Sequence, residues 1–246
     1  MFPIRDLNPT RIVPAVTLLI IALNIAAFFF WQQFPQSSDT ETAEFLYERA
    51  AIACELTTGD QLTERELDLD VCDSSDSGTE LFPGKNIWFA GLASMFLHGS
   101  LLHILANMWF LWIFGNNVEE AFGTSGYLAV YLASGLVATA AFVALNPNAT
   151  VPLVGASGAI AGILGAYLVL YPTHRVLSWF LFFFVPIPAV LFLGFWFLSQ
   201  FGIGDPGVAW EAHVGGFVFG AVLTTPFRAV LLRRVDDLHR TARYQR

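Results

Sequence analysis

Residues 121–174 read AFGTSGYLAVYLASGLVATAAFVALNPNATVPLVGASGAIAGILGAYLVLYPTH, with no Asp, Glu, Lys or Arg among them. A helix crosses the roughly 30 Å hydrocarbon layer of a bilayer in about 20 residues. This run of 54 residues therefore holds two crossings. Between them, Leu145-Asn146-Pro147-Asn148-Ala149-Thr150-Val151-Pro152 supplies the turn. Charge-free runs also cover residues 12–38, 87–118 and 176–204. The run 87–118 is 32 residues long, about 48 Å as one helix and more than a single crossing requires. It divides into an amphipathic stretch in the outer interface, Ile87–Gly99, and a membrane helix from about Ser100 to Phe114. Adding Ile12–Trp31, Val176–Gln200 and about Trp210–Leu232, where Arg228 snorkels to the surface, brings the predicted count to six crossings.

The composition agrees. Of 246 residues, 55% are hydrophobic and 13% charged, about half the charge fraction of a soluble domain. Disordered, collagenous and disulfide-framework chains are excluded, and a net charge of −8 argues against nucleic acid as a partner. The expected fold is an all-α, polytopic bundle forming one membrane domain over residues 1–246. It carries a polar, acidic outer loop at about 32–86 and a basic tail at about 233–246. The first segment ends Phe28-Phe29-Phe30-Trp31 without a small-residue cleavage pattern, so it reads as a retained helix.

Six crossings put both termini on one side. Arg5, Arg11, Arg175, Arg228, Arg233, Arg234, Arg240, Arg243 and Arg246 make that side cytoplasmic, against Arg49, Arg65 and Lys85 outside, and the expected location is the cell (plasma) membrane. Thirteen of the 20 acidic residues lie between Asp39 and Glu80. The negative net charge thus describes one loop. A short helix is expected there around Glu41–Leu56. Both cysteines, Cys54 and Cys72, also lie in it; their spacing permits a disulfide without requiring one, the alternative being two unrelated thiols. Neither Cys-x-x-Cys nor His-Glu-x-x-His occurs, so no metal site is expected.

Polar side chains inside membrane helices are costly and point to function. His98 precedes the second helix, and His103 and Asn107, four residues apart, share one of its faces. Their alternative use is as hydrogen-bonding glue between helices. The fourth helix opens Gly155-Ala156-Ser157-Gly158, a hydroxyl among residues small enough for close approach, although small-residue stretches also serve plain packing. The sixth opens Glu211-Ala212-His213-Val214-Gly215-Gly216, an imidazole beside glycines that let two helices meet. The second, fourth and sixth helices run in the same direction, so all three motifs sit at similar depth near the outer face. A serine hydroxyl needs a base to take its proton, and the oxyanion formed by attack on a carbonyl needs preset donors. Ser157 and His213 suit the first requirement as a dyad. His103, Asn107 and the Ser157 N–H suit the second.

His98-x4-His103-x3-Asn107, Gly155-x-Ser157-Gly158 and Ala212-His213-x-Gly215-Gly216, in this order across six crossings, resemble the rhomboid intramembrane serine proteases. The resemblance covers nearly the whole chain from the first crossing to the sixth. It implies Ser157 as nucleophile and His213 as general base, with His103 and Asn107 lining the oxyanion hole and His98 structural beside the site. It implies no cofactor. Some members carry a tyrosine four residues after the serine, beneath the imidazole. Here that position is Ala161, so another side chain must hold the ring of His213. The Trp-Arg pair of many relatives is also missing, since Trp88 is followed by Phe89.

The resulting expectation is a serine endopeptidase that cuts transmembrane segments of membrane proteins near their outer ends, with the lipid bilayer as its medium. Two alternatives stand beside it. One is a non-catalytic rhomboid-like binder of membrane proteins in quality control. The other is a small transporter using the histidines, which would show symmetry between its halves; no convincing repeat is found.

Overall fold

A computed structural model describes residues 2–34, 38–73, 75, 78–201 and 208–244. Arg246 of the basic tail lies outside them, as does the side chain of Arg243. The chain is mainly helical but not all-α. Strand β1 (Phe2–Asp6) leads into α1 (Ala15–Ala26), which a π-helical turn extends to Trp31. A lobe follows, made of α2 (Asp39–Arg49), β2 (Ala51–Ile52), α3 (Ala53–Thr58) and α4 (Glu64–Leu69). After α5 (Ile87–Ala93) come the long α6 (Leu101–Leu145), β3 (Pro152–Leu153) and α7 (Ser157–Leu170). Strands β4 (Arg175–Phe180) and β5 (Phe183–Pro188) precede α8 (Ala189–Ser199), α9 (Trp210–Thr224) and α10 (Arg228–Tyr244).

Among the described residues two helices, Leu101–Leu145 and Trp210–Thr241, are long and apolar enough to cross a membrane. Ala15–Trp31, Ile87–Phe96, Ser157–Leu170 and Ala189–Ser199 are shorter apolar helices. Gly123, at φ 73° and ψ 168°, breaks α6 into two legs, a conformation that glycine adopts without a Cβ penalty. The Arg234 guanidinium of α10 packs where a Cβ at Gly123 would stand.

Four expectations are corrected. The second helix does not stop at Phe114; it continues to the Gly123 kink with Glu119 and Glu120 buried inside the protein. The reason is local: Glu119 accepts hydrogen bonds from Val16 N, Thr17 N and Thr17 Oγ1 at 2.9, 2.8 and 2.8 Å. The first two are N–H groups that the first turn of a helix leaves without partners, so one helix caps another. Secondly, residues 176–200 are not one helix. Pro186 and Pro188 remove backbone donors, and β-branched and aromatic residues around them favour extended backbone. The chain therefore forms the β4–β5 hairpin and leaves only Ala189–Ser199 helical. With β1 it makes a three-stranded antiparallel sheet in the order β1-β4-β5. Thirdly, the last helix does not stop at Leu232: α9 passes through a 3-10 turn containing Pro226 straight into α10, so the basic tail is helical too.

The acidic loop, fourthly, is a folded lobe. Its expected helix is divided between α2 and α3 by β2. Cys54 and Cys72 are disulfide-bonded. Lys85 and Glu55 are buried as an ion pair at 2.7 Å. Loss of water pushes the Lys85 ammonium down from its ordinary value and the Glu55 carboxyl up, with each partner's charge opposing that change. Strand β2 pairs with β3, Ala51 opposite Leu153. Thr150 Oγ1 donates to Asp70 Oδ1 at 2.6 Å. The lobe thus braces the segment that leads to Ser157.

The core lies between α6 and α7, filled by Leu111, Phe114, Tyr127, Tyr131, Ile163, Leu164 and Tyr167. Helices α7 and α9 meet backbone to backbone. A Cβ on Gly216 would strike the Gly158 carbonyl oxygen, and one on Gly220 that of Gly162. Such close approach is how small residues join membrane helices, where lipid offers no hydrophobic drive to association.

Candidate active site

Ser157, His213, His103 and Asn107 all line one cavity of about 1010 Å³. Gly155, Gly158 and Gln200 line it too, as do Ser94 and Gly99 ahead of α6. Residues just ahead of α6, α7 and α9, among them Gly99, Gly155 and Ala209, line it, at the end of the bundle where those helices start.

Each side chain is placed by its own element. Ser157 is the first residue of α7, where backbone N–H groups lack helical acceptors and the helix dipole is positive. Gly155 precedes it at φ 119°, a value that side-chain-bearing residues rarely adopt. Its N–H donates to Ser94 O at 2.9 Å. A Cβ there would stand 2.8 Å from His103 Nε2 and 3.5 Å from Ser157 Oγ, which brings the imidazole and the hydroxyl to the same small space.

His103 lies in the first turn of α6, capped by Ser100, whose Oγ accepts from the His103 N–H at 3.1 Å. Asn107 lies one turn further on and is buried. Its Nδ2 has no hydrogen-bond partner among the described residues. An orphaned buried donor of this kind normally costs about 1–3 kcal/mol, and it faces the cavity lining. His98 stacks edge-on with His103 at 5.1 Å between ring centroids. Its backbone is clamped by Gln32: Gln32 Nε2 donates to His98 O at 2.6 Å and the His98 N–H donates to Gln32 Oε1 at 3.1 Å.

His213 lies in the first turn of α9, with Gly215 and Gly216 following it. Gly215 packs on Ala141 of α6 and Gly216 on α7. Two residues of α8 and its end hold the ring. Trp196 lies at 6.1 Å between centroids, tilted by 37°. Gln200 Oε1 lies 2.8 Å from His213 Nδ1. The orientation of the Gln200 amide follows from its other end, because Nε2 donates to the Trp196 carbonyl at 2.9 Å and a carbonyl can only accept. Its Oε1 therefore faces the imidazole, His213 Nδ1 carries the proton, and Nε2 is left with the free lone pair. Gln32, Trp196 and Gln200 were not foreseen from the sequence. Only Gln200 left a trace there, as an amide beside Ser199 at the end of a run otherwise almost without polar side chains.

Two helices long and apolar enough to cross a membrane, beside a cavity lined by a serine, two histidines and an asparagine, fit a membrane protein with a site between its helices. The family model described as Rhomboid domain matches residues 85–229, more than half of the chain and all four cavity residues named above. The chain belongs to the rhomboid family. It is 27% identical over 207 residues to Rhomboid protease GluP of Bacillus subtilis, covering 84% of this chain and 34% of that protein. To the mitochondrial presenilin-associated rhomboid-like protein of Bos taurus it is 33% identical over 141 residues, 52% of this chain and 35% of that one. Rhomboid protein 1, mitochondrial, of Saccharomyces cerevisiae is 30% identical over 141 residues, 53% and 39% of the two chains. The chain thus spans about a third of the length of the curated relatives it matches.

Proposed function

We propose that this chain is an intramembrane serine endopeptidase that cleaves transmembrane segments of membrane proteins through a dyad of Ser157 and His213. The observation that carries the reading is the convergence on one cavity of Ser157, His103, Asn107 and a His213 whose Nδ1 is already engaged. Ser157 Oγ attacks the scissile carbonyl carbon and its proton passes to His213 Nε2. The oxyanion so formed takes hydrogen bonds from Asn107 Nδ2, His103 and the Ser157 N–H. Collapse breaks the C–N bond, the leaving amine receives the proton from His213, and water then releases the acyl group from Ser157 by the same steps. A helical substrate hides its peptide carbonyls, so the segment cut is one that unwinds locally, with small or helix-breaking residues at the bond.

In this reading α1, the two legs of α6, α7, α8 and α9 are six crossings, and α5 lies in the interface. Arginines then mark the side of both termini as cytoplasmic, the cavity opens outward, and residues 1–246 act as one membrane domain. Some relatives are mitochondrial, and a plasma-membrane location draws no support from them.

The test is cleavage of a single-pass reporter by the reconstituted chain and by Ser157→Ala and His213→Ala. Wild-type cleavage that both substitutions abolish is the expected result. Equal cleavage by all three removes the dyad, and no cleavage by any, with no fluorophosphonate labelling of Ser157, leaves the non-catalytic binder.

A further inference from the structure

The β4–β5 hairpin ends in a tip that ordinary turn chemistry does not explain. Its two turn residues are Leu181 and Phe182, and Leu181 holds φ at 54°. Two-residue hairpin turns place Gly, Asn or Asp at such positions because a Cβ is disfavoured there. Here the position is filled by a leucine that is 69% exposed, followed by a phenylalanine that is 88% exposed.

The rest of the tip repeats the pattern. At the base of β4, Val176 and Ser178 are buried while Arg175 is exposed, the alternation of a strand lying on the protein body. From Trp179 to Val185 the alternation stops and every residue is exposed, with Phe183 and Phe184 next to the turn. An unbroken apolar tip of this kind in water would be an aggregation site. Basic Arg175 and, on the neighbouring β1, Arg5 stand exposed at the opposite end of the sheet. The hairpin is therefore polarised along its length, about 20 Å for six residues.

We propose that this tip inserts into the lipid leaflet at the end of the bundle where α7 finishes and α8 begins. The surface is continuous with α8, whose Val190, Leu191 and Phe195 are exposed and apolar in a chain that is an integral membrane protein. The depth has a limit. β5 is an edge strand, and open strand edges are not tolerated in the hydrocarbon core. Pro186 and Pro188 lack N–H groups, which lessens that penalty near the base, and Arg5 and Arg175 favour contact with lipid phosphates. The tip thus reaches the boundary between headgroups and acyl chains, as interfacial anchors do, about 5–10 Å deep. The inference does not depend on the chain being a protease.

The test uses the full chain with Phe182→Cys, spin-labelled, in vesicles of phosphatidylcholine with phosphatidylglycerol. The native cysteines are already paired to each other. Glu44→Cys on exposed α2 gives the aqueous reference and Val222→Cys on α9 the lipid reference. Collisions with oxygen higher and with a nickel chelate at least several-fold lower than at residue 44 are expected. Nickel accessibility equal to that at residue 44 overturns the proposal. Shielding from both relaxants with dipolar broadening overturns it too, because a second copy then covers the tip. Phe183→Cys repeats the reading if the first variant does not fold.

Discussion

Gln200 Oε1 lies 2.8 Å from His213 Nδ1, and the Gln200 amide is itself locked by the Trp196 carbonyl. A neutral amide here does what a carboxylate does in a triad, fixing tautomer and ring orientation, but without a charge to stabilise the imidazolium. Gln200→Leu is expected to lower kcat by about 10- to 100-fold, no more than the low end of the 10²–10⁴ that a positioned base contributes, with KM nearly unchanged. Gln200→Glu keeps an acceptor and adds negative charge. Its pH–rate profile is expected to shift the acid limb upward relative to wild type, an effect that a merely structural glutamine would not produce.

Asn107 Nδ2 is buried without a partner. If it donates to the oxyanion, Asn107→Ala is expected to lower kcat by about 10²–10³, since loss of one such donor typically costs this much. KM and the thermal midpoint should stay close to wild type, because removing a donor that has no partner in the free protein breaks no hydrogen bond. A lowered midpoint with unchanged kcat would assign Asn107 to packing instead.

The difference between what was legible in the sequence and what was not follows the range of the interactions. Charge-free runs marked α1, α7, α8 and both legs of α6, and the spacing of His103, Asn107, Ser157 and His213 anticipated the residues that share the cavity. The end of the second helix was placed too early, at Phe114, because the partners that let Glu119 be buried beyond it, Val16 and Thr17, are about a hundred residues distant in sequence. The β4–β5 hairpin was misread because hydropathy cannot separate an apolar strand from an apolar helix; Pro186 and Pro188 were the available signal. Gln200 was missed as a partner of His213 because a side-chain hydrogen bond across helices has no periodicity.

The contact between α7 and α9 is unforgiving at Gly216, where a methyl group would meet the Gly158 backbone. Gly216→Ala is expected to lower stability by about 1–3 kcal/mol, the usual range for overpacking, and to reduce cleavage by moving His213 relative to Ser157. Gly194→Ala is the control. Nothing lies within 4 Å of a Cβ there, and a helical glycine replaced by alanine stabilises by up to about 1 kcal/mol. Thermal unfolding in detergent, read beside cleavage, compares the two.

Glu119 holds the first turn of α1 through three hydrogen bonds. Glu119→Ala strands Val16 N, Thr17 N and Thr17 Oγ1, and hydrogen bonds to charged groups contribute about 1.5–3 kcal/mol each. A loss of several kcal/mol is expected, less for Glu119→Gln, which keeps one acceptor. Fluorophosphonate labelling per folded molecule should be unchanged, since α1 contributes no residue to the cavity.

Asp6, at the end of β1, gives a pH dependence of unusual sign for a carboxylate. Burial pushes its carboxyl up to about 6, against the lowering effect of the hydrogen bond from the Asn8 N–H. The unfolded chain releases that proton near pH 3.9. Between these values the native state holds a proton that the unfolded state has lost, so stability falls as pH rises from about 4 to 6 and does not recover above. The whole shift corresponds to about 3 kcal/mol. Asp6→Asn keeps an acceptor for Asn117 Nδ2, which now donates to Asp6 Oδ2 at 2.6 Å, and removes the titration. Denaturation midpoints measured across this range should decline for wild type and run flatter for Asp6→Asn, with the variant the more stable of the two at pH 7. Parallel profiles would place the pH dependence of stability in this range elsewhere than at Asp6.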